Sequence, residues 1–210
     1  MCGGRGCGGG CRVESAPGLH HYFPSRDALV TALVAKAYND LADAVQAAVD
    51  GTAVPAVPPV PRLVVAAEGH RGWAITHPER FQLLYGAPLR DYVAPVRGST
   101  PRAMLRMSAI FQRELSAGFT AEQLAAADVP EPSSPFRAHL ESEGSDGTGA
   151  LPPPAAPLLL SAWGHMHNLV VLEVFGHMPF LGDHRAEPFR TSTRTMLADL
   201  HRRIPATGPD

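Results

Sequence analysis

The sequence predicts an all-α protein. Three observations carry this expectation: apolar residues recur at helical spacing along most of the chain, Pro and Gly fall at sensible helix starts and stops, and no convincing alternation of apolar and polar residues marks a strand. With 210 residues, 45% of them hydrophobic, the chain can bury a sizeable core.

Residues 1–14 form a head in which Gly3, Gly4, Gly6, Gly8, Gly9 and Gly10 cluster. Ordering such a chain costs much backbone entropy, so the head is expected to be disordered. All three cysteines, Cys2, Cys7 and Cys11, lie there. An odd count with none in the body argues against a disulfide framework, and the C-x4-C-x3-C spacing matches no strong zinc pattern, so no metal is expected. No apolar stretch follows the early Arg5, which excludes a secretory signal and makes the cytoplasm the expected compartment.

A long helix is expected from Ser25, a suitable N-cap, with Asp27 favourable at the positive helix end. Leu29, Val30, Leu33, Val34, Ala37, Tyr38, Leu41 and Val45 make its apolar stripe, and Gly51 ends it. The Pro-rich link GTAVPAVPPVP can be neither helix nor central strand. The next helix, 62–76, places Leu63, Ala67, His70, Trp73 and Ala74 on one side. Gly69 and Gly72 sit inside it at about 1 kcal/mol each against alanine, which calls for close packing or a kink as compensation. Pro78 suits the first position of a short helix and Gly86 its C-terminal cap.

A further helix is expected from Thr100-Pro101 to Gly118, with Met104, Ser108, Phe111 and Leu115 facing inward, followed by a short amphipathic helix at 120–128. ESEGSDGTGALPPP, residues 141–154, reads as a low-complexity loop. Residues 157–175, PLLLSAWGHMHNLVVLEVF, are almost all apolar, but His165, His167, Asn168 and Glu173 interrupt them, which favours a buried helix over a membrane span. Glu173 and His177 are spaced to pair on one face, whereas His165 and His167 point to different faces and make a poor metal pair. The last helix, 188–204, carries Phe189, Thr193, Met196, Leu197, Leu200 and Ile204 in register. One subunit of this size would struggle to cover both late helices, so a homodimer formed through a helix bundle is expected.

The formal net charge is −2, so nucleic-acid contact must come from a local patch rather than the field of the whole chain. There is no nucleophile–base constellation, and the head glycines precede no strand–helix unit of a phosphate loop. Neither an enzyme nor a bound cofactor is expected.

Two stretches and a short pattern carry a family resemblance. Ser15, Leu19, Tyr22, Phe23, Ser25, Arg26 and Leu29 in SAPGLHHYFPSRDAL resemble the reading-helix pattern of the tetracycline-repressor (TetR) family. EGHRGWAITHPERFQLLYG is similar to the opening of the regulatory domain of one branch, and SAWGHMHNLVVLEVFGH to the Trp-His-Gly segment that names that branch. The resemblance runs from about Ser15 to Ile204; His20 stands where the family usually has Tyr, and Asn168 where the segment has Gly.

The resemblance implies a DNA-binding transcriptional regulator, most commonly a repressor, that responds to a small, largely apolar effector. A helix-turn-helix reader meets base edges with the start of its second helix. The expected operator contacts are Ser15, Pro17, Gly18, His20, His21, Tyr22 and Arg26, the last holding a phosphate. The expected effector pocket is walled by Trp73, His77, Phe81, Tyr85, Phe111, Trp163 and His167. The domains follow: the head, 1–14; a partial helix-turn-helix of reading and connector helices, 15–50; and a regulatory and dimerisation domain, 62–205. Two helices with their turns need roughly 25–30 residues before the reading helix. The head supplies none of that packing, so a truncated or frame-shifted start with impaired DNA binding is expected. The alternative is a dimerisation and ligand-binding module without DNA binding of its own, inert or forming a heterodimer with an intact relative.

Overall fold

A computed structural model describes residues 22–51, 60–87, 90, 92–144 and 155–205. The head and the operator contacts Ser15, Pro17, Gly18, His20 and His21 lie outside the described residues, as do 52–59 of the Pro-rich link. The described residues form helices α1 (Arg26–Gly51), α2 (Arg62–Thr76), α3 (Pro78–Tyr85), α4 (Ser99–Ser116), α5 (Ala121–Ala125), α6 (Ser134–Gly144), α7 (Ala155–Val174) and α8 (Ala186–Arg203), with a 3-10 segment at Pro179–His184 and no strand.

Helix α1 begins as its sequence dictates: the Ser25 hydroxyl accepts the Ala28 N–H at 3.1 Å. Its buried stripe, from Val34 through Leu41 and Val45 to Val49, packs mainly against α2 and α4. Helix α2 is the hub, touching α1, α3, α4, α7 and α8. Leu63, Ala67, His70, Trp73 and Ala74 are all buried on it, as their spacing requires. Gly69 explains itself by close approach: a Cβ there would lie 2.9 Å from the Ala48 Cβ and 3.4 Å from the Val45 Cα. Gly72 has nothing within 4 Å of the same built atom, and its presence has no packing reason.

Charged side chains tie the helices around this core. Arg71 on α2 grips Glu173 on α7 in a two-pronged bond of 2.7 and 2.5 Å, and both side chains are largely buried. Arg62 reaches from α2 to the buried Glu114 on α4 at 2.9 Å, and Arg113 joins it. Burial pushes the Glu114 carboxyl up, but its bonds to Arg62 and Arg113 prevail and hold it below its ordinary value. Arg80 of α3 bonds Asp40 of α1, Arg106 of α4 bonds Asp43 of α1, and Arg190 of α8 bonds Glu68 of α2.

Four expectations need correction. Glu173 does not pair with His177; its partner is Arg71, 102 residues away in sequence, which no local spacing reveals. On α4 the buried residues are Thr100, Ala103, Met107, Ile110, Phe111, Glu114 and Leu115, so Met104 and Ser108 lie about one residue off the core-facing row and are exposed. Residues 141–144 are not loop but the last turn of α6, an unanticipated helix that buries none of the side chains described on it. The last helix starts at Ala186 and ends at Arg203, preceded by a 3-10 turn that the sequence did not announce.

Candidate ligand-binding site

Helix α4 packs on α1 and α2, and α7 packs on α8 and α2, leaving a cleft of about 680 Å³ between α4 and α7. Met104, Leu105, Met107, Ser108, Phe111 and Gln112 of α4 form one wall; Ala156, Leu159, Leu160 and Trp163 of α7 form the other. Tyr38 of α1, Tyr85 of α3 and Leu140 of α6 complete the lining, and Arg102 and Arg106 are its charged residues. The volume and the mainly apolar, aromatic lining are those of sites for small organic ligands. Met104, 44% exposed, and Leu160, 66% exposed, are apolar side chains facing this space instead of a packed neighbour.

Behind Tyr85, Phe111 and Trp163 lies an aromatic box centred on His70, which is 1% exposed. The His70 ring is 5.3 Å from Trp163, 5.9 Å from His167, 6.0 Å from Phe81, 6.1 Å from Phe111 and 6.5 Å from Tyr85. His167 stacks on Trp163 at 5.2 Å and meets Tyr85 edge-on at 4.4 Å. Burial, with a smaller contribution from His167, pushes the His70 pKa down to about 3; burial also lowers that of His167. Both imidazoles are therefore neutral near pH 7. Burial, reinforced by the neighbouring Tyr38, pushes the Tyr85 hydroxyl well above its ordinary value. His70 Nε2 and His167 Nδ1 have no hydrogen-bond partner among the described residues, and the Tyr85 hydroxyl has only the Tyr38 hydroxyl beside it.

Of the expected pocket residues, Tyr85, Phe111 and Trp163 line the cleft. Phe81 and His167 belong to the box behind it. Trp73 and His77 line neither; they stack on each other at 5.2 Å, and His77 Nδ1 lies 3.1 Å from the Trp73 carbonyl. Sequence reasoning missed Tyr38, Arg102, Arg106 and the outward row of α4. The available signal was that Met104, Leu105 and Met107 are too many apolar positions for one core-facing stripe.

Two expected operator contacts are described. Tyr22 is 79% exposed just ahead of α1, and Arg26 opens α1 and donates to the Arg90 carbonyl at 3.3 Å. No group of three or more His, Cys, Asp or Glu side chains is placed to hold a metal among the described residues, and none of the described helices is long and apolar enough to cross a membrane.

Residues 63–199 match the family described as tetracyclin repressor-like, C-terminal domain. Over 194 residues the chain is 32% identical to the HTH-type transcriptional regulator Rv1816 of Mycobacterium tuberculosis strain H37Rv, covering 90% of this chain and 78% of that protein. HTH-type transcriptional regulator Mb1846 of Mycobacterium bovis matches to the same extent, 32% over 194 residues. The crystal structure of SCO4313, described as a regulatory protein, superposes with a TM-score of 0.64 at 27% identity, covering 88% of this chain and 79% of that one. A protein with unknown function from Rhodococcus sp. RHA1 shares the fold, with a TM-score of 0.58 at 18% identity over 85% of this chain and 75% of that one.

Proposed function

The chain belongs to the tetracycline-repressor-like family of transcriptional regulators, and from that premise we propose that it is a ligand-responsive repressor acting as a homodimer in the cytoplasm. The observation that carries the ligand response is the apolar cleft between α4 and α7, which reaches Tyr38 on α1 and Tyr85 on α3. Helix α1 follows directly on the stretch that resembles a reading helix, Ser15 to Phe23. A molecule seated between α4 and α7 bears on α1 both through Tyr38 and through the Arg106–Asp43 bond. It shifts the spacing of the two reading segments in a dimer only to the extent that it binds one spacing more tightly than the other; a hundredfold change in operator occupancy ratio needs a hundredfold difference in affinity.

Helices α7 and α8 lie side by side, joined by a bond between His165 and Ser192 at 2.8 Å. Outward-facing Ser161, Asn168 and Leu172 on α7 and Thr191, Thr195 and Ala198 on α8 supply the face for a second copy. The regulator reading is tested by fluorescence anisotropy on DNA from immediately upstream of the gene, against scrambled DNA at the same salt. Tighter binding to the upstream DNA supports a direct operator reader. Equal binding, with discrimination restored on mixing with a relative of the family, supports the dimerising module that acts through a heterodimer. Light scattering on the eluting protein tests the homodimer.

A further inference from the structure

Two buried ring nitrogens without a partner, and a tyrosine hydroxyl with only another tyrosine beside it, gather at one place in an otherwise apolar core. His70 Nε2, His167 Nδ1 and the Tyr85 hydroxyl belong to three helices, α2, α7 and α3, whose rings contact one another. Buried polar groups nearly always find a partner, and an unmet one is costly in a low-dielectric core. Tyr85, Phe111 and Trp163 stand between the two histidines and the cleft, and Tyr85 is both a lining residue and the bearer of the hydroxyl.

Resting on the reading of the cleft as an effector site, we propose that its ligand is an uncharged, mainly apolar molecule bearing a hydroxyl head group, and that Tyr85, His167 and His70 receive that head. A hydroxyl both donates and accepts, so it suits a phenol and two neutral imidazoles whichever ring nitrogens carry the protons. A carboxylate would only accept, and the trio brings no positive charge to meet it, because burial keeps both imidazoles neutral. An ammonium would enter with no carboxylate in the box. The cationic residues of the site, Arg102 and Arg106, line the cleft; Arg106 is already committed to Asp43 and Arg102 to the Gly98 carbonyl. Tyr85 lines the cleft and its ring touches both histidine rings, so a head group seated against Tyr85 lies beside them.

The test titrates the full-length protein at pH 7.5 with a matched set of probes: 4-butylphenol, butylbenzene and 4-butylbenzoate. Binding is read by tryptophan fluorescence, to which Trp163 in the cleft wall contributes, and by calorimetry. The expected result is that 4-butylphenol binds at least tenfold more tightly than butylbenzene and that Tyr85→Phe cuts this preference to under threefold. His167→Phe, which removes a second member of the trio, is expected to do the same. Equal affinity of phenol and hydrocarbon overturns the head-group site and leaves the cleft as an apolar effector site. Tightest binding by 4-butylbenzoate overturns it in favour of an anion held by the two arginines. Binding of none of the three up to their solubility overturns both the head-group site and the effector reading beneath it.

Discussion

The two interior glycines of α2 make opposite predictions from the same substitution. Alanine improves helix propensity by about 1 kcal/mol at either site. At Gly72 the new methyl meets nothing within 4 Å, so Gly72→Ala keeps this gain. At Gly69 the methyl falls 2.9 Å from the Ala48 Cβ and 3.4 Å from the Val45 Cα, where the first is well inside the ~3.5–4.0 Å of a relaxed carbon contact. Neither neighbour offers a flexible side-chain end that can swing away. Helices α1 and α2 must separate, and forced overpacking costs about 1–3 kcal/mol, which outweighs the propensity gain. The two variants therefore differ by about 2 kcal/mol. In a chain of this size that is roughly 4–8 °C in Tm, with Gly72→Ala above the wild type and Gly69→Ala below it. Paired thermal and urea melts decide the matter. Equal upward shifts would show that α1 and α2 are not in close contact at Gly69 and that the packing account of the hub is wrong.

The ion pair between Arg71 and Glu173 predicts strong asymmetry. Arg71→Ala leaves a buried carboxylate and costs about 3 kcal/mol in a urea melt, whereas the double change Arg71→Met with Glu173→Leu recovers more than half of that loss. Tyr85→Phe removes a buried hydroxyl whose one polar neighbour is the Tyr38 hydroxyl, so without ligand it changes stability by less than about 1 kcal/mol; a loss of about 2 kcal/mol or more would mean that the hydroxyl is fully hydrogen-bonded in solution. The pH dependence follows from His70, whose folded pKa is pushed from 6.5 to about 3. The unfolded chain takes up the proton first, so the contribution is intact above pH 6.5 and declines as pH falls toward 3. Between pH 7.5 and 5.5 the wild type loses about 1 kcal/mol through this group, and His167 acts in the same direction. His70→Phe is expected to lose correspondingly less over the same interval, read from urea midpoints at the two pH values.

The helices with a steady apolar stripe were legible in the sequence. Ser25, Gly51 and Pro78 marked their ends, and α2 was read with its bounds and its buried face. Helix α6 was not legible, because SPFRAHLESEG has no apolar stripe and leads into a Gly- and Pro-rich run that imitates loop composition. Half of the cleft lining was also hidden. Tyr85, Phe111 and Trp163 announced themselves as aromatics at helical spacing, but the same signal drew in Trp73 and His77, which stack on each other away from the cleft. The distinction depends on which side of each helix its neighbours cover, and α4 shows why. Its core row and its cleft row are both apolar, about one residue apart, so periodicity finds the helix without telling which row meets solvent-filled space. Partners distant in sequence, such as Arg71 and Glu173, are beyond any local pattern.

If the space between α4 and α7 is the effector site, its occupant is felt by α1 through Tyr38 and the Arg106–Asp43 bond. Hydrogen exchange of the full chain, with and without a concentration of 4-butylphenol that saturates the tryptophan fluorescence change, tests it most directly. Slowed exchange is expected in 102–112 and 156–163, with an altered rate in α1 around Tyr38 and little change at α5. Protection confined to other segments, or protection of α4 and α7 with α1 unchanged, would contradict it.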